Sequence, residues 1–506
     1  MRYAFSDEDK KFFTAHGISE EEIQRQLELY QRGSTYVFLE RAATIGDGIQ
    51  QYDEKKTDHY VAVFDKKMTA YSLIRFIPAS GMATRMFKFL HYFISKYKPS
   101  NETLRSYLNR EKTYKLGVFF GGIEKFPFFK SIRNTIRNQV KEDLSIDYRY
   151  TFIQKLLHQF STKPKALIPF HRYTSDIRTA AEEQLYLSKE FAKINQEIRI
   201  HFTVPPQTQD AFTRTLATAI EQLEGLYTVK TKLDFSVQKK STDTIAVQTD
   251  NTPYRDNSGA LLLRAAGHGA LIENLNNLDE QLVFLSNIDN ISTEKHHQQT
   301  ARYKKMLAGV LISHLEQIYQ YCHALAENEE VDLIEVSSFM KGQLHIAIPE
   351  DLSGEGLIAY MQQKLNRPLR VCGMVKNEGE PGGGPFRVEK NGISSLQIVE
   401  SAQVDSTNKE QEKKFKKGTH FNPVDIVCAT HDYKGNKYDL HKFVDHGSYF
   451  IANKSVGDTK IKALERPGLW NGAMADWNTI FVEIPLRTFN PVKNLNDLLR
   501  PMHQPN

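Results

Sequence analysis

Between residues 71 and 86 a buried-strand signal runs directly into a turn of small residues. The apolar run Tyr71-Ser72-Leu73-Ile74-Arg75-Phe76-Ile77 is followed by Ala79-Ser80-Gly81-Met82-Ala83-Thr84-Arg85-Met86. A strand feeding such a turn can leave several backbone N–H groups aimed at one point, where they cradle phosphate. Further along, Pro164-Lys165-Ala166-Leu167-Ile168-Pro169 sets a lysine beside a proline. From about residue 165 strands alternate with helices. Residues 198–204 read as a strand ended by Pro205-Pro206, 210–223 as a helix and 282–286 as another strand. This alternation predicts an α/β fold on a mostly parallel, doubly wound sheet.

Residues 1–68 read as a helical N-terminal region. Ser19-Glu20-Glu21-Glu22 resembles a capped helix start, and Ile23, Leu27 and Tyr30 then share one face. The basic, aromatic-rich segment 87–160 has helical patterning and reads as an amphipathic insertion. Its alternative, an RNA-binding patch, would bind with strong salt dependence. Residues 404–418 read as an exposed polar loop and Gly382-Gly383-Gly384 as a flexible one. The organisation expected is a region 1–68, a main domain 69–499 carrying the insertion, and a tail 500–506.

A net charge of +5 over 506 residues is too mild to argue for nucleic acid. Three scattered cysteines form no CxxC pair, which favours a reducing compartment. The N-terminus lacks a signal-peptide pattern and no apolar run reaches membrane-span length, so a cytoplasmic protein is expected. GxxxxGK[ST] and an opening GxGxxG are both missing, which disfavours a P-loop or dinucleotide-binding unit.

Three further segments carry chemistry. Gly267-His268-Gly269 opens a helix, where a glycine turn permits close backbone approach. The strand Phe284-Leu285-Ser286 ends in Asn287-Ile288-Asp289-Asn290, which sets a carboxylate at a sheet edge where ligands bind in open α/β folds. Near the C-terminus stands Phe489-Asn490-Pro491-Val492-Lys493, followed by Asp497-Leu498-Leu499. Each has a plainer reading. Asp289 could be a helix N-cap, His268 a helix cap, Lys493 a surface turn residue and Glu400 a solvated strand residue. His296-His297 reads as part of a solvated helix, because adjacent helical residues face different ways. Trp470 and Trp477 read as core packing rather than sugar stacking.

Taken in order, these motifs resemble the UDP-sugar pyrophosphorylases of the sugar nucleotidyltransferase superfamily, over roughly residues 74–499. The shared pattern is a Gly-rich Thr-Arg loop, a Pro-Lys, a Gln ahead of a Gly-rich helix start, an Asn-x-Asp-Asn strand end and a late Pro-Val-Lys before Asp-Leu-Leu. Overall the chain is similar to an uncharacterised bacterial family, a domain of unknown function. The resemblance implies a Rossmann-like GT-A nucleotidyltransferase fold with a mixed, mainly parallel sheet. It implies an enzyme that joins an NTP, UTP by preference, to a sugar-1-phosphate with release of pyrophosphate and the help of Mg²⁺. It assigns Ala79, Ser80, Gly81, Met82, Ala83 and Thr84 to the triphosphate, with Arg85, Lys165 and Lys493 as catalytic cations. Gln238 would read the base edge, beside Gly267, His268 and Gly269. Asp289 would ligate the metal, with Asp425 as a second candidate. Gly373, Glu400 and Asn422 would hold the sugar.

Two departures from the pattern stand out. Ala83 replaces the glycine usual before Thr-Arg and could crowd the nucleotide. Lys165 lies 80 positions after Arg85, a long insertion of the kind a surface loop tolerates cheaply. The alternative reading is a nucleotide-sugar-binding protein that kept the fold and lost catalysis. Neither nucleic acid nor membrane is expected as a partner.

Overall fold

The computed structural model describes residues 2–137, 146–327, 330–380 and 382–505. The fold is mixed α/β. It divides into two compact units, one of Met1–Leu73, Ser236–Leu285 and Lys305–Leu486, the other of Ile74–Phe235, Ser286–Lys304 and Arg487–Asn506.

The first unit is built on the strand Leu369–Lys376, buried along all but its last residue. A strand covered on both faces reads as a continuous apolar run. It pairs in parallel with Asn478–Glu483, which pairs in parallel with Gly48–Gln50. On its other side Asp425–Ala429 runs antiparallel to it. The N-terminal helices form as their sequence predicts. Ser19 accepts a hydrogen bond from the Glu22 N–H and starts the helix Glu20–Arg32. Its Ile23, Leu27 and Tyr30 are buried in one cluster with Ile245, Val247 and Leu464.

Between these helices and the helix Glu54–Lys67, however, Phe38–Ala42, Thr44–Ile45 and Gly48–Gln50 are strands. The strand Phe38–Ala42 pairs with Gly384–Lys390, more than 300 residues away, so tertiary pairing overrides the local signal there. Gly384 therefore opens a strand, while Pro381 of the predicted loop lies outside the described residues. The predicted polar loop 404–418 contains the helix Lys409–Lys416, capped by Asn408. Its buried Gln411 accepts from the Leu39 N–H at 2.7 Å and donates to the Leu39 carbonyl at 3.2 Å.

In the second unit Arg75 to Pro78 of the strand Leu73–Pro78 run parallel to Ile200 to Thr203 of the strand Glu197–Thr203. The insertion is helical, from Lys88–Lys96 to Ile146–Phe160, with 138–145 outside the described residues. Its rings make a core: Phe93, Tyr107, Phe119 and Phe126 are fully buried. Tyr92 and Tyr114 of the same segment stay exposed, while these four rings are consumed in packing.

Behind the sheet lies a buried polar network. Arg75 donates to the Gln184 side chain at 2.6 Å and to Ser188 Oγ at 2.8 Å. Gln184 Nε2 in turn donates to the carbonyls of Asn287, Ile288 and Asn290, at 3.2, 3.3 and 3.4 Å. These contacts fix the turn that carries Asp289.

Next to this network, His171 meets Glu183 at 3.0 Å and His503 at 2.9 Å, and Tyr173 donates to Glu183 at 2.6 Å. His297 is also buried here, 3.6 Å from Glu183. The solvated-helix reading of His297 is therefore corrected: the fold turns it onto a carboxylate 114 positions upstream in the sequence.

Burial pushes His171 down to about 3, His297 to about 4 and His503 well below its ordinary value. It pushes the Glu183 carboxyl up to about 7. Between about pH 4.5 and 6.5 the unfolded chain thus binds protons at three histidines that the folded chain leaves neutral. The folded chain holds one extra proton, at Glu183. The unfolded state binds more, so stability rises with pH across this window. Melting temperature measured from pH 4.5 to 6.5 is expected to climb, and His171→Gln is expected to flatten the slope. An unchanged slope in that variant would refute the assignment.

Candidate functional site

In the second unit three distant segments meet. The turn after Leu73–Pro78 is held at its base by the Ala79 N–H, which donates to the Thr203 carbonyl at 2.8 Å. Its far side is clamped to the Pro-Lys motif. Ala83 N–H donates to the Lys163 carbonyl at 3.1 Å, and Lys165 N–H to the Gly81 carbonyl at 2.9 Å. The helical insertion thus leaves and returns at one point, and 82 positions of sequence separation close to a backbone bridge between Met82 and Pro164.

Ala83 is 1% exposed, so its methyl packs inward and does not line the open face of the turn. Gly81, Met82, Thr84 and Arg85 are exposed and Ser80 is half-buried. A Cβ on Gly81 would meet nothing within 4 Å. Among the described residues, the N–H groups of Ser80, Gly81 and Met82 have no partner within the chain. Three unused donors beside an exposed arginine are what an anionic group requires.

Lys165 Nζ reaches Asp289 Oδ2 at 2.6 Å. The Asp289 carboxylate is therefore engaged by a cation rather than capping a helix. The late segment closes the group. Val492 N–H donates to the Asp289 carbonyl at 3.1 Å, Asn490 N–H to Asn290 Oδ1 at 2.7 Å, and Leu495 N–H to the Met86 carbonyl at 3.2 Å. Lys493, between these anchors, is exposed, and its own N–H is held by Asp497 Oδ2 at 2.8 Å. Arg85, Lys165, Asp289 and Lys493 thus stand on segments that bond to one another.

The remaining predicted residues lie in the first unit. Gly267 has φ +77°, a conformation that favours glycine, and a Cβ on Gly269 would fall 2.1 Å from the Pro467 carbonyl oxygen. The glycines here answer to the chain's own backbone. His268 stacks on Trp470, centroids 4.0 Å apart and planes 16° from parallel. Its Nδ1 accepts from the Leu469 N–H at 3.0 Å, which places any ring proton on Nε2, 3.9 Å from Glu400 Oε1. Burial holds this imidazole down at about 4 and raises the Glu400 carboxyl.

Asn422 bridges two further pieces. Its N–H donates to the Gly383 carbonyl at 2.7 Å and its Nδ2 to the Gly373 carbonyl at 3.1 Å. A Cβ on Gly383 would meet Glu400 Cγ at 3.3 Å. Gly373, Asn422, Glu400 and His268 therefore form one chain of contacts. Gln238 stands apart from that chain, donating weakly to Thr242 at 3.3 Å and Asp243 at 3.5 Å. Asp425 is 2% exposed, at the start of its strand.

Sequence reasoning missed three polar residues at the end of the parallel strands. Glu483, opposite Met374, accepts from Gln51 and meets His420 Nε2 at 3.3 Å. They lie at the C-terminal edge, where ligands bind in α/β sheets. The only available signal was the end of the apolar run at Ile484-Pro485.

Among the described residues no cluster of three or more His, Cys, Asp or Glu could hold a metal ion, and no helix is long and apolar enough to cross a membrane. Mg²⁺ needs no such cluster, since it commonly takes one or two carboxylates and completes its shell with phosphate and water. Asp289, partly exposed and within reach of the phosphate-type turn through Lys165, fits a metal that arrives with phosphates.

No curated protein matches the chain. Among solved structures it is similar to a mutant UDP-glucose pyrophosphorylase from Leishmania major in complex with UDP-glucose, at 13% identity and TM-score 0.45, over 99% of this chain and 79% of that one. It is also similar to the uridine diphosphate N-acetylglucosamine pyrophosphorylase from Trypanosoma brucei in complex with inhibitor, at 10% identity and TM-score 0.47, over 97% and 76%. A family model matches residues 6–504, nearly the whole length. The chain therefore belongs to the DUF4301 family, a domain of unknown function.

Proposed function

We propose that this protein is a sugar-1-phosphate nucleotidyltransferase that forms an NDP-sugar, by preference a UDP-sugar, from an NTP. The observation that carries the reading is the convergence of three segments: the 79–85 turn with its unused N–H groups, the Lys165–Asp289 pair and the anchored Lys493. No protein nucleophile is needed. An oxygen of the sugar-1-phosphate attacks the α-phosphorus of the nucleotide in line. A new P–O bond forms, the α–β P–O bond breaks, and the electron pair leaves with pyrophosphate. The turn binds the triphosphate. Arg85, Lys165 and Lys493 orient the phosphates and offset the charge that develops on them. Asp289 would hold Mg²⁺, which when bound supplies further charge neutralisation. Lys165, which donates to Asp289 at 2.6 Å, is also placed to donate to a phosphate oxygen. In the first unit, taken by itself, Gly373, Asn422 and Glu400 are the candidate sugar residues.

The test is pyrophosphate release from the four common NTPs and dTTP, each against a panel of sugar-1-phosphates, with and without Mg²⁺. Release that needs one NTP, one sugar phosphate and Mg²⁺ is the expected result. Silence across the panel, with UDP-sugars still raising the melting temperature, would replace the reading by a binding protein.

A further inference from the structure

A cavity of about 350 Å³ lies in the first unit, at the start of the parallel strands. Asn478 and Thr479 line it, and Asn478 pairs with Leu369 at the first residue of each strand. Gly373 stands four residues further along, about 13 Å away at a strand's rise per residue. The cavity is therefore at the opposite sheet edge from Gly373, Asn422 and Glu483. Its volume is in the range of small-molecule sites.

Its charge is unbalanced. Lys364 and Arg367 line it; burial disfavours the charge of both, and the neighbouring Arg367 disfavours that of Lys364 further. Lys364 has no carboxylate within 4 Å among the described residues; its ammonium sits 5.3 Å from the Tyr360 ring. Arg367 donates to the Gln363 and Asp476 carbonyls, and its nearest carboxylate oxygen, on Asp476, is 3.8 Å away. Directly behind the wall, Arg370 is fully buried and donates to Thr479 Oγ1 at 2.9 Å and to the Trp470 carbonyl at 2.7 Å. No carboxylate pairs with it, and its second terminal nitrogen has no acceptor among the described residues. Trp477 lines the cavity, and its buried indole N–H has no acceptor among the described residues either. At the other end Lys390 is already neutralised by Asp445 at 2.8 Å. Three cations against the single Asp476 carboxylate make a positive potential, focused by low-dielectric walls. A buried cation left without a counter-charge is costly, and a bound anion offsets that cost.

We infer that this cavity is a binding site for a small metabolite bearing a phosphate or carboxylate group, held by Lys364 and Arg367 and separate from the nucleotidyltransferase site. The site has a route to the candidate sugar residues. Asn471, on the same wall, donates to the Ile398 carbonyl at 2.8 Å and stands 3.6 Å from the Cβ position of Gly383. Occupancy therefore bears on the strand that leads into Glu400.

The chain has two tryptophans, and Trp470→Phe leaves Trp477 on the cavity wall as the single reporter. Sodium phosphate and, separately, sodium citrate are titrated into this full-length variant at constant ionic strength. At least one is expected to change Trp477 emission saturably and to raise the melting temperature of the wild-type protein. Phosphate alone would point to a phosphate-bearing ligand, citrate alone to a carboxylate-bearing one. Lys364→Gln is expected to weaken that anion by about tenfold or more. Lys364→Gln combined with Arg367→Gln is expected to remove saturation, and Lys165→Gln to leave it unchanged. The inference is overturned if neither anion gives a saturable change in emission or melting temperature. It is also overturned if Lys364→Gln has no effect, or if Lys165→Gln abolishes the response. The wild-type melting shift carries the test should Trp470→Phe not fold. None of these readouts depends on nucleotidyltransferase activity.

Discussion

Asp289→Ala is expected to lower the turnover of pyrophosphate release by about a hundredfold or more while the protein stays folded. Loss of one preorganised electrostatic contact costs about 3 kcal/mol in a transition state, and Asp289 both engages Lys165 and is the proposed metal ligand. The fold survives because the local anchor is main chain: the Asp289 carbonyl accepts from the Val492 N–H whatever side chain stands there. The side chains of Asp289 and Lys165 are 23% and 16% exposed, so neither is left as a deeply buried lone charge when its partner is removed. Asp289→Asn, which keeps the shape and removes the charge, is expected to fall as far. Melting temperature and turnover measured together decide the matter. A turnover within about tenfold of wild type at an unchanged melting temperature would remove Asp289 from the mechanism.

Gly269→Ala is expected to be the most damaging of the glycine substitutions in the candidate motifs. Its new methyl would lie 2.1 Å from the Pro467 carbonyl oxygen and 2.9 Å from that of Arg466. Both are backbone atoms, so relief requires one segment to move. Overpacking of this kind costs about 3 kcal/mol. The displacement also reaches the ring stack, because Leu469 and Trp470 stand two and three residues after Pro467 and hold His268. Gly269→Ala should therefore lower the melting temperature by several degrees and weaken nucleotide-sugar binding in the same variant. Gly81→Ala is the control. Nothing lies within 4 Å of its Cβ position and its φ is not positive, so its stability should stay near wild type. Equal stability of the two variants would show that Gly269 has room the geometry denies it.

The two residues illustrate how a motif is read and misread. In sequence, Gly81 and Gly269 carry the same message, a backbone position kept clear for a ligand. In the structure Gly81 faces open space, whereas the space beside Gly269 is filled by residues 466–467. Nothing in the local sequence separates the two cases, since the occupant of that space lies about 200 positions away.

What the sequence determined by itself was whatever short-range physics sets. The helix Glu20–Arg32 follows from Ser19 and its apolar spacing, and the strands Leu73–Pro78 and Leu282–Ser286 from continuous apolar runs. The order of the motifs was legible too, because each is a local turn or strand end. What only the tertiary structure decided was pairing at long range. Lys165 and Asp289 are 124 residues apart, His171 and His503 are 332 apart, and Phe38–Ala42 became a strand because Gly384–Lys390 lay beside it. The same holds for His297, polar in sequence but buried against Glu183, and for Arg370, which no carboxylate pairs with once its described neighbours are placed. Propensity and periodicity act over a few residues. Burial, charge compensation and close backbone approach are properties of a neighbourhood, which the chain's folding assembles from segments that carry no local record of one another.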